Sequence, residues 1–200
     1  MQVFLDNDPL ETDAATLAQA LQAAVEAARQ RGRVIVEVEA DGEPVADEDL
    51  DNPSQDPAFC DELRFVSAEP RSLVRVTTLD AADALEQTRS RCAQASEMLQ
   101  TGQIAEALRD LAECLAAWET ARRVVQEGCA LLGLPLESEE GLGPGAQEQV
   151  AALTETLEAV KAAVASQDWA TLADLLAYDL DEQADAWRRA MQAMGERLSA

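Results

Sequence analysis

From Pro70 to the end of the chain, apolar residues return every three or four positions in four separate runs. A chain with that period forms helices and must bury their stripes against one another. The first stripe contains Leu85, Thr88, Cys92, Ala95 and Leu99 and is broken at Thr101-Gly102. The second runs through Ile104, Leu108, Leu111, Leu115, Trp118, Val125, Cys129 and Leu132. Arg122 is its discordant member; either its stem snorkels past the core, or the helix turns slightly and presents Ala121 instead. Val150, Leu153, Leu157, Val160 and Val164 make the third stripe. The fourth comprises Trp169, Leu172, Leu176, Leu180, Trp187, Met191, Met194 and Leu198, with a bend expected around Tyr178 to Glu182. Two short breaks and one Gly/Pro-containing linker near residues 133–147 separate these runs, which favours an antiparallel four-helix bundle over residues 70–200.

The first 69 residues have a different rhythm. Val3 to Leu5 reads as a short strand, and Asp13 is a plausible cap for a helix that turns Leu17, Leu21, Val25 and Ala28 inward and stops at Gly32. Val34, Val36 and Val38 alternate as one side of a strand that Asp41-Gly42 can reverse into a hairpin. Leu63 to Val66 is a further strand. A lone hairpin would leave too much apolar surface wet, so the expected fold class is α+β: a small mixed β-sheet with one packed helix over residues 1–69, followed by the bundle. Residues 73–78, LVRVTT, are β-branched enough to offer a competing final strand before the first long helix.

Thirty-nine acidic residues face fifteen basic ones, a formal net charge of −24, so neither nucleic acid nor an anionic membrane surface is an expected partner. The charge is uneven. Residues 71–135 hold nine acids and seven bases, whereas residues 1–70 hold seventeen and four, and residues 136–200 hold thirteen and four. The middle segment is therefore where another molecule approaches at least electrostatic cost. The amino-terminal run MQVFLDNDPLE has no basic leader or continuous apolar core, so a cytoplasmic location is the default expectation.

Chemistry is constrained by what the composition omits. With no histidine, triads built on imidazole and imidazole-dependent zinc or di-iron sites are excluded. Cys60, Cys92, Cys114 and Cys129 are too widely spaced for a local metal or dithiol motif and read as packed, reduced thiols. The acidic run Asp47, Glu48, Asp49, Asp51 and Asp56 lacks the turn glycine and terminal Glu of a calcium loop and reads as a solvated loop. GLGPG lacks the context and the Lys-Ser/Thr ending of a phosphate loop, and Lys161, the sole lysine, reads as a surface residue. No catalytic residue, metal site or cofactor is expected.

What remains is binding. Trp118, Trp187 and Met191 can build an apolar, adaptable groove, and Arg122 and Arg123 supply cations in the least acidic segment. These five are the candidate partner-binding residues. The expected function is a non-enzymatic adaptor, assembly factor or chaperone-like protein that engages a protein partner or forms a homo-oligomer. One competing expectation is a carboxylate enzyme using magnesium through Asp174, Asp181 and Asp185. Another is a self-associating structural protein in which Arg89, Arg91, Arg109, Arg122 and Arg123 meet an acidic surface.

Overall fold

Short extended runs with turn residues between them, then long helical periods, give two units with separate cores, Met1–Leu73 and Val74–Ala200. The computed structural model describes residues 1–55 and 59–199; Asp56 of the acidic run lies outside them. In the first unit, β1 (Gln2–Leu5) turns at Asp6 and Asn7, both at positive φ, into β2 (Asp8–Pro9). Helix α1 (Leu17–Gln30) follows, then β3 (Val34–Ala40), β4 (Glu43–Pro44), a short α2 (Asp47–Asp51) and β5 (Glu62–Ala68). The sheet order is β2-β1-β5-β3-β4, with β1 and β5 parallel and the other pairs antiparallel, so it is mixed, as the sequence indicated. Asp41 at φ 50° and Gly42 at φ 85° close the β3–β4 hairpin, which is the backbone a two-residue turn of that type requires.

Four local expectations are corrected in this unit. The cap of α1 is Thr16, whose hydroxyl accepts from the Gln19 N–H at 3.3 Å, and not Asp13. The buried face of α1 is Leu17, Ala20, Ala24 and Ala28, while Val25 is 48% exposed, because small side chains let the helix come close to the sheet residues Leu5, Leu63 and Phe65. A β-bulge between Ile35 and Glu37 breaks the alternation of β3, leaving Val38 buried and Val36 exposed. The acidic run is also not wholly a loop, since Asp47–Asp51 makes one short helix.

Asp6 ties the ends of this sheet together. Its carboxylate accepts from the Ser67 N–H at 2.8 Å and the Ser67 hydroxyl at 2.7 Å, and Arg33 donates to the same hydroxyl at 2.6 Å. The hydrogen bond from the Ser67 hydroxyl, aided by its N–H and by Arg33, holds the Asp6 carboxyl below its ordinary pKa. A depressed carboxylate contributes stability above its unfolded pKa, near 4, and loses that contribution as pH falls through its lower folded pKa. Asp6→Asn is therefore expected to destabilise the first unit by roughly 1 kcal/mol at neutral pH, with the difference from the parent vanishing in acid. Urea titrations across that range measure it, and a difference independent of pH would contradict the role assigned to the charge.

The second unit is helical. Helix α3 (Pro70–Gln100) starts where Glu69 accepts from the backbone N–H groups of Arg71 and Ser72 at 3.0 and 2.6 Å, with Pro70 in the first-turn position that needs no N–H partner. That cap decides the LVRVTT ambiguity in favour of helix. Gly102, at φ 82°, turns the chain into α4 (Ile104–Leu132), and Gly133, at φ 65°, ends α4. After α5 (Ala146–Ser166), α6 (Trp169–Asp174) passes through a π-helical turn, Leu175–Asp179, into α7 (Leu180–Arg197). The expected bend is thus an extra residue in the helical ladder, and Tyr178 on it is 71% exposed.

Helix directions follow from the contacts. Val74 lies against Gly128 while the Cys114 thiol lies 3.9 Å from the Thr88 carbonyl, so α3 and α4 run antiparallel. The Arg75 guanidinium donates to the Ser199 hydroxyl at 2.6 Å, Arg89 reaches Asp181 at 2.8 Å, and the Ser96 hydroxyl donates to the Ala173 carbonyl at 2.9 Å, so α6 and α7 run antiparallel to α3. All of these helices contribute to one core. The linker is fastened to it, with Leu142 buried and the Arg197 guanidinium donating to the Gly141 carbonyl at 2.9 Å. No helix among the described residues is long and apolar enough to cross a membrane.

Candidate functional site

An open apolar groove lies between helices α4 and α5. Its larger part, about 630 Å³, has Leu108, Leu111, Leu115 and Trp118 on the α4 wall and Leu153, Leu157, Val160 and Val164 on the α5 wall. A second part, about 300 Å³, continues past Val125, Cys129 and Leu134 towards Val150, with Trp187 among its lining residues. Arg122 lines both. Low residue numbers on α4 face high numbers on α5, so these two helices are also antiparallel. From Leu108 to Ala130 the groove follows about 33 Å of α4 at the usual rise per residue.

The reason for this opening is legible in the two stripes. Each is wider than the face its neighbours can cover. On α4, Ala107, Leu111, Cys114, Trp118, Ala121 and Val125 are buried, and Leu115 is left 37% exposed beside them. On α5, Leu153, Val160 and Ala163 are buried, while Val150, Leu157 and Val164 are only partly covered.

Five candidate residues can now be placed. Trp118 and Trp187 are both 1% exposed and meet edge to face, with ring centroids 5.9 Å apart and planes at 90°. Neither indole N–H has a hydrogen-bond partner among the described residues. Arg122 stands at the lip, held by Glu119 at 2.7 Å and Gln126 at 3.0 Å, and Ala121 takes the inward position. That pairing, through its hydrogen bond first, holds the Glu119 carboxyl below its ordinary pKa. Arg123 is exposed and lines neither part of the groove, and Met191 is fully buried in the core without reaching it. The fold therefore gathers Trp118, Trp187 and Arg122 along one feature and leaves Arg123 and Met191 elsewhere.

Lys161, Leu115 and Leu157 are what the sequence reading missed as groove residues. Lys161 lines the α5 lip, is exposed, and makes no ion pair among the described residues. The missed signal was modest: a single lysine placed between Leu157 and Val164 on the uncovered edge of an overfilled stripe.

Two of the three carboxylates considered for catalysis, Asp181 and Asp185, are occupied by arginine, whereas Asp174 is exposed and makes no ion pair among the described residues. Arg89 makes a two-point contact with Asp181 at 2.8 and 3.0 Å, and Asp185 is held by Arg188 at 2.8 Å and by Arg189. The hydrogen bond from Arg188, with Arg189 beside it, depresses the Asp185 pKa. Arg91 is paired with Glu113, so three of the five arginines considered for self-association already have acidic partners within the chain. Cys92, Cys114 and Cys129 are buried, and the Cys92 thiol is pushed up in pKa by its hydrogen bond with Cys114 and by burial.

The structure thus defines a protein of the α+β class whose helical unit carries an open, lipped apolar groove. Residues 77–190 match the family described as a domain of unknown function, DUF8042, and the chain belongs to that family. The matched segment contains every residue named on the groove walls. No curated protein and no solved structure matches the chain.

Proposed function

We propose that this is a non-enzymatic protein-binding module, an adaptor, assembly factor or chaperone-like protein, which receives a partner segment in the α4–α5 groove. The observation that carries this reading is the groove itself. An apolar trough whose two parts meet at Arg122, lined mainly by leucine and valine, is a surface on which helical segments dock through their own apolar stripes. Its α4 wall lies in the least acidic third of the sequence, which lowers the electrostatic cost of approach. The arginine-bound state of Asp181 and Asp185 suits fastening of α3 to α7 better than proton transfer or cation binding.

The test is capture from the native source with the parent chain and with a Leu115→Glu/Leu157→Glu double variant, followed by light scattering of each chain with the purified hit. Both leucines are partly exposed, so the double variant is expected to retain its helical circular dichroism. Two charges placed in a desolvated contact are expected to weaken binding at least about thirtyfold. A stoichiometric partner retained equally by a folded double variant defeats the groove reading; substrate turnover lost on Asp181→Asn would defeat the non-enzymatic one.

A further inference from the structure

We infer that the occupant of the groove is an amphipathic helix from another protein that carries carboxylates along the edge lying against Lys161; this rests on the groove reading above. Few charges line the groove. In a chain with 39 acidic residues, the only acid among the described residues on either part of the groove is Glu119, and Arg122 already holds it at 2.7 Å. Arg122 has in turn committed its remaining side to Gln126. Lys161 is left as the one lining charge without an ion-pair partner among the described residues, and Glu158, three positions earlier, is not in ion-pair contact with it. The lip is locally cationic on a molecule of net charge −24. At physiological ionic strength, charges more than about 8 Å away are largely screened, so a carboxylate arriving at the lip responds to Lys161, which lines the groove, and to nearby Glu158, which does not, rather than to the distant acids of the chain.

The dimensions suit a helix. The larger part extends from Leu108 to Arg122 on α4, about 21 Å at the helical rise, which is close to four turns. An inserted helix there would present apolar side chains at three- and four-residue spacing to Leu115 and Leu157, with its flank passing Lys161. Lys161 sits opposite the Leu108 end of this trough and Arg122 at the other, so the acidic edge belongs near one end of the helix. A second copy is disfavoured as the occupant. Among the described residues, the large exposed apolar side chains on helical segments outside the groove, Val25, Val76, Leu131 and Tyr178, each lie on a different segment, so no helix of the chain offers a spare apolar stripe to the groove of another copy.

The experiment uses the full chain and two synthetic amphipathic peptides of about 18 residues, enough for five turns. They share one Leu/Ala face and differ only in carrying Glu or Lys along the flank. Fluorescence anisotropy at about 0.15 M salt gives the affinity of each peptide for the parent and for Lys161→Glu. The ratio of Glu-peptide to Lys-peptide affinity is expected to fall roughly five- to tenfold in the variant, as for reversal of a partly exposed ion pair. Comparing this ratio between the parent and the variant cancels the part of the acidic field that the two chains share. Binding that Leu157→Arg abolishes but whose ratio does not move with Lys161→Glu overturns this inference and leaves the groove reading standing. Failure of both peptides to bind the parent at millimolar concentration overturns both. A parent dimer that Leu157→Arg dissociates names a second copy as the occupant and also overturns the inference.

Discussion

Replacing Trp187 by Ala is expected to remove about 3–5 kcal/mol from the stability of the helical unit. Trp187 is 1% exposed, meets Trp118 edge to face at 5.9 Å, and belongs to the same core as Leu180, Ala184, Met191 and Met194 on its own helix. Truncation loses the transfer free energy of the indole, leaves space that neighbouring helices cannot wholly collapse into, and deletes an aromatic pair contributing about 0.5–1.5 kcal/mol beyond its area. Trp187→Phe is expected to cost far less. It keeps a ring in place and removes an indole N–H that is buried with no partner among the described residues, a donor whose burial itself costs about 1–3 kcal/mol. Urea unfolding followed by tryptophan fluorescence reads this unit alone, because Trp118, Trp169 and Trp187 all lie in it. A loss below about 1 kcal/mol for the alanine variant would show that the site collapses freely and that the two indoles do not anchor the core.

The helical half of the fold was legible because a 3.6-residue period reports directly which face of a helix is apolar. The stripe of α3 is buried at each of its five positions, and that of α7 from Leu180 to Leu198 likewise. Periodicity does not report whether a neighbouring helix covers the whole of that face. Leu115 and Leu157 read as core for that reason, and they are groove walls instead. In α1 the pattern pointed to Leu21 and Val25, but approach to the sheet selected Ala20 and Ala24, since the distance between layers is a tertiary quantity that no local spacing encodes. The bulge in β3 separated Val36 from Val38 for a similar reason, because it depends on register with β5.

The candidate site divides along the same line. Trp118 and Arg122 were visible because a large aromatic and an out-of-pattern cation stand out on an apolar stripe. Arg123 shared the cation signal but points from a different side of the same helix, as a neighbour offset by about 100° must. Lys161 carried no pattern in the sequence. Its interest arises only when α5 is set opposite α4 and every other charge on the lips is accounted for.

Gly195→Val is expected to destabilise the helical unit by roughly 2–3 kcal/mol, although glycine is itself a poor residue for a helix interior. A Cβ built at Gly195 would lie 2.7 Å from Leu79 Cδ2 and 2.8 Å from Leu79 Cγ, both inside van der Waals contact. The second atom is a branch point and cannot swing away by rotation of a terminal methyl alone. Any side chain at 195 therefore drives α7 away from α3 or forces Leu79 off its rotamer, and valine adds a branch at Cβ that cannot turn aside. The local preference of the helix for a β-carbon, about 1 kcal/mol in favour of alanine over glycine, is the smaller effect. The contact makes the claim specific: combining Gly195→Val with Leu79→Ala should recover at least about 1 kcal/mol relative to the sum of the single changes. Leu79 is only half-buried, so its own truncation leaves enough stability for the cycle to be measured. Strict additivity across that cycle would place the cost of valine in the helix itself, and close approach of α3 would then no longer explain a glycine in α7.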